Sequence, residues 1–524
     1  MSSSELVTGH PKPSSEEVRL VMELLEQIAA DRGLLEQVSK EEMHRLLRAA
    51  EKVALPSRSD RKRLKRAFLK REHAERDRKR SADAQHLART GIRSESGVRR
   101  RFITAHPPEP FAPELPPRVE SKVDNTPRLE VPRSCYICKR EFDRLHHFYD
   151  ALCSDCAALN WTKRHQTCDL TGRYALVTGG RVKIGYEAVL KLLRAGAHVI
   201  VTTRFPADGV KRFLAEADST EWQDRVQVIG IDLRHTPSVE ALCDHLCETL
   251  PRLDFILNNA CQTVRRPSGF YAHLIEAERD ATETLPSPGR GMLESYERLR
   301  SQTAVNPTNG RLLPTQVRST LAGIQRAAEL SQLPLVAEDH DHSTALFPSD
   351  QYDEDLQQVD LRKMNSWRLR LADVPTVELL EVHLVNAVAP FILNARLKPL
   401  MERVPTADKH IVNVSAMEGV FYRAYKTDKH PHTNMAKAAL NMLTRTSAQD
   451  YAASGIHMNS VDTGWITDED PAEIAARKQR ELDFHPPLDQ IDAAARICDP
   501  IFHGFLSGEH RWGLFLKDYQ VANW

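Results

Sequence analysis

Ala175-Leu176-Val177-Thr178-Gly179-Gly180-Arg181-Val182-Lys183-Ile184-Gly185 is the stretch whose reading decides the fold. An apolar run feeds a glycine turn, and a helical pattern follows from Tyr186 to Arg194. A strand that ends in glycines lets the next helix offer its free amides and positive dipole end to a pyrophosphate. A second apolar run, Ala197-His198-Val199-Ile200-Val201-Thr202-Thr203-Arg204, ends without the acid that would bond a ribose 2'-hydroxyl.

Further along stand Asp232-Leu233, Asn258-Asn259-Ala260, Asn386, Lys437 and Asn459-Ser460-Val461-Asp462-Thr463-Gly464-Trp465-Ile466-Thr467. In this order, with the glycine turn, they resemble the short-chain dehydrogenase/reductase superfamily over roughly residues 170 to 520. The resemblance implies an α/β fold, a Rossmann-like doubly wound parallel sheet, acting on a small-molecule substrate and assembling as a homo-oligomer. It implies a cofactor site of Thr178, Gly179, Lys183, Ile184, Gly185, Arg204, Asp232, Leu233, Asn259, Ala260, Lys437 and Thr467. Arg204 falls where NADP-using members place a base for the 2'-phosphate, the alternative being a solvated loop arginine; NADP(H) is therefore expected over NAD(H). Lys183 replaces the middle glycine of the family's turn, removing room for backbone approach and adding an ammonium that can pair with phosphate.

The same resemblance frames the chemistry. Lys437 matches the family's active-site lysine, which also bonds the nicotinamide ribose. Asn386 matches its water-holding asparagine, the alternative being a helix-distorting polar residue whose amide bonds nearby backbone. The tyrosine four positions before that lysine is Thr433 here, whose hydroxyl is far less acidic and too short for a phenol's reach. Ser415 follows Ile411-Val412-Asn413-Val414 at a strand end, yet the family's spacing to glycine places Ala416, not Ser415, at the serine position. One extra residue in the turn would restore Ser415. His430, His432 and Tyr425 are candidate replacement proton donors. His430 fits the spacing of divergent enoyl reductases, and a histidine titrates near neutrality; alternatively His430-Pro431-His432 is only a turn before a helix.

Cys135-Tyr136-Ile137-Cys138 and Cys153-Ser154-Asp155-Cys156 form two Cys-x-x-Cys pairs about fourteen residues apart. Four thiolates at this spacing can close a tetrahedral Zn2+ shell and fold a segment too small for its own core. His146, His147 and Cys168 lie nearby and are read as packing or surface residues; Cys243 and Cys247 are read as half-buried helix positions. With nine cysteines, no secretory leader and no membrane-spanning run found, a disulfide framework is disfavoured and a cytoplasmic setting expected.

Lysine plus arginine and aspartate plus glutamate both number 72, but this balance hides a basic segment from Arg58 to Arg101. Sparse Leu64, Phe68 and Leu69 give that segment a thin apolar helical edge. It is either a solvated face or a surface for a protein or nucleic-acid partner. Glu16 to Ala29 and Lys40 to Val53 carry helical periodicity and are expected to pair with each other or dock on the main domain.

The organisation expected is a charged helical leader (1–101), a Pro-rich linker (102–132), a four-cysteine zinc module (133–168) and the dinucleotide domain (169–524), with an insertion at about 263–362. An insertion of that length is a lid, a binding loop or disorder, and its His/Asp run Glu338-Asp339-His340-Asp341-His342 is read as a solvated loop, the alternative being a weak metal site. Two functions follow: NADP(H)-dependent oxidoreduction of a carbonyl, alcohol or activated double bond with a non-standard proton donor, or a silent NADP(H)-binding scaffold whose zinc module and leader engage a macromolecule.

Overall fold

The computed structural model describes residues 13–93, 127–275, 278, 285–301, 321–353, 355–423 and 426–524; Tyr425, Arg99-Arg100-Arg101 and most of the Pro-rich stretch lie outside them. Two compact units result, Met1–Ser81 and Ala82–Trp524. In the first, α1 (Ser15–Ala30) and α2 (Lys40–Ala54) each begin with a capping box, Ser14 with Glu17 and Ser39 with Glu42. Both helices were legible from periodicity. Neither has a buried residue, and Val18, Val21, Leu24 and Leu25 are exposed, so the expected packed helix pair does not form. The long helix α3 (Arg58–Ala88) carries the basic run.

The second unit is built on an eight-stranded sheet. In chain order its strands are β3 (Tyr174–Thr178), β4 (His198–Thr203), β5 (Val226–Gly230), β6 (Phe255–Asn258), β7 (Lys409–Ser415), β8 (Ile456–Asp462), β9 (Phe515–Lys517) and β10 (Gln520–Ala522). Their spatial order is β10-β9-β8-β7-β6-β3-β4-β5, parallel throughout except for β10. The chain winds outward from β3 to β5, returns to β6 beside β3, then winds the other way. That reversal leaves a crevice at the carboxyl ends of β3 and β6, the place where such sheets bind ligands. The central strands are almost wholly buried, Leu176, Val177, Ile256, Leu257, Ile411 and Val412 among them, because helices cover both faces.

One helical stretch, Thr376–Glu402, is long and apolar enough by length and composition to cross a membrane, which the sequence reading did not find. Here Leu393, Leu397, Leu400 and Met401 enter the domain core. The stretch loosens into a π turn at Leu384–Val388, just before Pro390. Proline has no N–H to donate and its ring clashes with the carbonyl four residues back, that of Asn386.

Ahead of the sheet, β1 (Arg128–Ser134) and β2 (Glu141–Arg144) form an antiparallel hairpin, and α4 (Ser154–His165) follows the second cysteine pair. This module is held to the C-terminal helix Gln490–Ser507 by buried polar contacts: Arg164 with Asp489 at 2.6 Å, Tyr149 Oη with Asp492 at 2.5 Å, and Arg496 with Asn160 at 2.6 Å.

The insertion is more than loop. Its helix Ser287–Ser301 packs beside β5, with Tyr296 donating to the Ile324 carbonyl at 2.9 Å. Asp339 is buried and pairs bidentately with Arg265 at 2.6 and 2.7 Å. Glu338, His340, Asp341 and His342 are exposed as the solvated reading expects, and Asp339 alone departs from it: a guanidinium fork supplies the partner that lets its carboxylate be buried.

Candidate functional site

Gly179 has φ +67°, and a side chain there would lie 2.9 Å from the Ala260 Cα. A Cβ on Gly185 would run into the Gly179 carbonyl oxygen and the Asn259 amide. Asn259 donates to the carbonyls of Thr178 and Gly179 at 3.1 and 3.2 Å, and Thr178 Oγ1 accepts from the Ala260 N–H at 3.0 Å. The end of β6 is thus clamped to the end of β3. Lys183, where a glycine was expected, holds φ +56°, so the left-handed backbone survives the change of residue. It opens the helix Lys183–Arg194, whose first amides face the crevice.

The crevice encloses a cavity of about 1090 Å³. Gly179, Lys183, Ile184, Gly185, Arg204, Asp232, Leu233, Asn259, Ala260 and Thr467 all line it. Of the residues expected to hold cofactor, Thr178 and Lys437 do not. Burial pushes the Asp232 carboxyl up, but the hydrogen bonds and charge of Arg234 outweigh it and hold the group below the ordinary range.

The insertion supplies wall residues that sequence reasoning missed. Tyr271 accepts from the Arg204 guanidinium at 2.7 Å, and that guanidinium also lies 4.7 Å from the Tyr271 ring centroid. At the glycine turn, both carboxylate oxygens of Asp355 accept from the Gln490 amide at 2.9 Å, while Gln357 accepts from Arg181 at 2.9 Å. Burial raises the Asp355 carboxyl, with Lys183 the main opposing charge. Glu381, ahead of Asn386, joins Arg234 and Arg265. The aromatic pair Phe270-Tyr271 in an otherwise polar insertion was the available signal, but no spacing rule ties it to Arg204.

The residues proposed for proton transfer sit differently, since none of Asn386, Ser415, His430 and Lys437 lines the cavity. Ser415 Oγ is buried and donates to Asn441 Oδ1 at 2.6 Å. Asn386 accepts from the Gln262 N–H at 2.8 Å and donates to its carbonyl at 3.2 Å, and Gln262 does line the cavity. Lys437 Nζ donates to the Val414 carbonyl at 2.6 Å. Thr433 Oγ1 is buried and has no hydrogen-bond partner among the described residues. His430 has φ +42°, stacks on Trp367 with centroids 3.8 Å apart, and has Nδ1 3.1 Å from Asn434 Oδ1. Burial lowers its pKa to about 4. His432 Nε2 lies 3.3 Å from Glu378 Oε1.

The four cysteines converge. The sulfurs of Cys135, Cys138, Cys153 and Cys156 all lie within 4.8 Å of one another, with Cys138 and Cys153 at 3.6 Å. Zinc–sulfur bonds of about 2.3 Å would put tetrahedral sulfurs about 3.8 Å apart, so the donor set suits that ion. Hydrogen bonding from Arg140 brings the Cys138 thiol down to about 6, whereas burial and the neighbouring thiols push Cys156 up. A cation would relieve that conflict. His146 and His147 pack against the Trp161 ring instead, and Cys168 and Cys243 are buried in the domain core.

The family model described as short chain dehydrogenase matches residues 173–278, and that described as enoyl-(acyl carrier protein) reductase matches residues 364–490. Between them lies most of the insertion. An uncharacterized protein, R665, of Acanthamoeba polyphaga mimivirus is 29% identical over 396 residues, 74% of each chain. The 3beta-hydroxysteroid dehydrogenase 2 of Eggerthella lenta is 32% identical over 93 residues, 17% of this chain and 34% of that one, so the match spans about a third of that relative. Among solved structures, the Pseudomonas aeruginosa RhlG/NADP active-site complex is similar at 18% identity and a TM-score of 0.40, covering 67% of this chain and 95% of that one.

Proposed function

The chain belongs to the short-chain dehydrogenase/reductase superfamily, and from that premise we propose that it binds NADP(H) and uses it to oxidise or reduce a small molecule at a carbonyl, alcohol or activated double bond. One observation carries the reading: the side-chain-free cradle of Gly179 and Gly185, braced by Asn259, opens into a cavity that contains Arg204. When bound, the dinucleotide would supply or accept the hydride. The chain's own part is to seat the pyrophosphate on the amides after Val182, with Lys183 beside them, and to meet the 2'-phosphate with Arg204. Asn386 fixes Gln262 at the cavity wall, and Lys437 stiffens the β7 end through Val414. We assign proton exchange to His430: with its pKa lowered to about 4 it is neutral at pH 7, so it accepts the proton an alcohol loses on oxidation, and in reduction it can pass on only a proton it first takes from solvent; Ser415 is the orienting hydroxyl. We also assign one structural zinc to Cys135, Cys138, Cys153 and Cys156, in a thiol-reducing, cytoplasmic setting.

A second reading has its own support. Ser415 Oγ, Lys437 Nζ and His430 Nδ1 each meet a neighbour outside the cavity lining, which is what a cofactor-binding scaffold would show. In that reading the basic helix Arg58–Ala88 engages an anionic macromolecule.

Titration separates the parts. NADPH should bind at least tenfold more tightly than NADH, and Arg204→Ala should erase that preference; equal affinities in the parent protein would refute the NADP assignment. Elemental analysis should give about one zinc per chain. In single-turnover assays with a broad carbonyl panel, His430→Phe should keep NADPH affinity and lose about a hundredfold or more in rate. No hydride transfer in the parent would favour the scaffold.

A further inference from the structure

Tyr136 stands inside the first cysteine pair, and its phenol oxygen accepts a hydrogen bond from the backbone N–H of Trp465 at 3.0 Å. Trp465 follows Gly464, at φ +81°, and precedes Ile466 and Thr467, both of which line the cofactor cavity. Two anchors therefore hold this bend. On the sheet side Asp462 accepts from Gly464 N–H at 2.9 Å and from Met417 N–H at 2.8 Å. On the module side Tyr136 takes the next amide.

The apolar packing is continuous as well. Cys135 and Cys153 lie in one buried cluster with Ile466 and Leu488, and Ile184 of the glycine turn packs against that cluster. Ile184, Ile466 and Leu488 all line the cavity, so the cysteine module and the cofactor site share a wall. Tyr136 is itself set by the cysteine knuckles: its N–H donates to Ala151, just before the second pair, at 2.8 Å, and the Lys139 N–H closes back on the Cys135 carbonyl at 3.0 Å.

We propose that the metal module is a positioning device for the nicotinamide half of the cofactor site, with Tyr136 as the link. Arg204 lies at the end of β4 and Ile466 beyond β8, on opposite wings of the sheet. The Arg204 end of the cavity takes the adenosine half, and the Ile466 end takes the nicotinamide half. With the four thiolates gathered on one ion, Tyr136 holds Trp465–Thr467 against the cavity. When the ion leaves, the sulfurs take up protons and lose the bonds that gather them, Tyr136 is released and that wall loosens. This deepens the zinc and NADP(H) readings above and rests on both.

The test uses the full chain, zinc-loaded, with two probes: NADPH, and adenosine 2',5'-bisphosphate, which reports the adenosine half alone. Tyr136→Phe should keep one zinc per chain, bind NADPH about three- to tenfold more weakly and bind the bisphosphate as the parent does, the range matching one lost hydrogen bond. Cys138→Ser, which loses the ion, should show the same split, and the double variant should lose little more than either alone. Unchanged NADPH affinity in zinc-loaded Tyr136→Phe overturns the link, as does an equal loss for both probes, which would mean general loosening. Should Tyr136→Phe fail to fold, a chelator titration of the parent decides: NADPH affinity must fall as zinc leaves while bisphosphate affinity holds. A parent that carries no zinc or binds no NADPH fails at the earlier reading, before any variant is compared, and takes the link down with it.

Discussion

The glycine turn after β3 and the residues proposed for proton transfer around β7 lie toward the carboxyl ends of strands in one sheet, yet they depart from the family pattern in opposite ways. At the turn a residue changed and the geometry stayed: Lys183 stands where a glycine was expected and keeps a left-handed backbone at φ +56°. Around β7 Asn386 and Lys437 match the family's residues and Ser415 stands one place before its serine position, but each polar group is bonded to a neighbour. A dinucleotide is recognised at a turn by backbone amides, which tolerate a changed side chain if the chain path is kept. Proton transfer needs a particular side-chain atom within reach of the substrate, and no backbone path substitutes for it.

The largest effect should come from forcing a side chain into the cradle. Gly185→Val would drive its Cβ into the Gly179 carbonyl and the Asn259 amide, and NADPH affinity should fall at least a hundredfold by calorimetry. Circular dichroism checks that the sheet persists. On the other side of the comparison, Ser415→Ala removes one buried hydrogen bond to Asn441 and should cost about 1–2 kcal/mol of stability while NADPH affinity stays within about twofold. Retained affinity in Gly185→Val would break the comparison at its stronger end.

The two regions should also part company in acid. Burial lowers His430 to about 4 and His146 to about 3, and it depresses His410, His457 and His510, whose rings lie 5.1 to 5.3 Å apart. The native state therefore binds fewer protons than the unfolded chain below about pH 6.5, so this stability is present above that pH and is lost as pH falls through the folded values. Asp232 behaves otherwise: its folded pKa is already below the ordinary carboxyl value, so its contribution goes only in stronger acid. Urea midpoints should decline between pH 6.5 and 4, and His430→Phe should shrink that decline by an amount on the order of 2–3 kcal/mol. An identical decline in the variant would mean that His430 is not held neutral by its burial against Trp367.

These contrasts mark what could be read from the sequence. The apolar run of β3, the turn, and the ordered asparagines at 259 and 386 were legible because a continuous apolar strand and local turn chemistry are encoded within a few residues. The cysteine pairs were legible for the same reason, as spacing alone brings two thiols together. Tyr271 on Arg204, Asp339 on Arg265 and Tyr136 on Trp465 were not. Each joins segments 67, 74 and 329 residues apart in the chain, and nothing local specifies such a partner. The fate of Ser415 was hidden in the same way, since its hydroxyl is taken by Asn441 on the next helix.

The smallest effect concerns Lys183, and it tests whether the turn is tuned or merely tolerated. A lysine at positive φ carries a backbone cost of about 1 kcal/mol that glycine would not, although glycine raises the entropy of the unfolded chain. Lys183→Gly should therefore shift the melting temperature by no more than a few degrees, in either direction. Its effect on binding has a definite sign. The ammonium opens the helix facing the cavity and is the main opposing charge on Asp355. Losing it removes a phosphate partner and leaves Asp355 less compensated at the same place, and NADPH affinity should drop about two- to fivefold, more at low salt than at 0.5 M, as for a partly screened ion pair. Tighter NADPH binding in Lys183→Gly would mean that the lysine serves Asp355 and the insertion rather than the cofactor. The kept geometry of the turn would then be a relic of packing and not of binding.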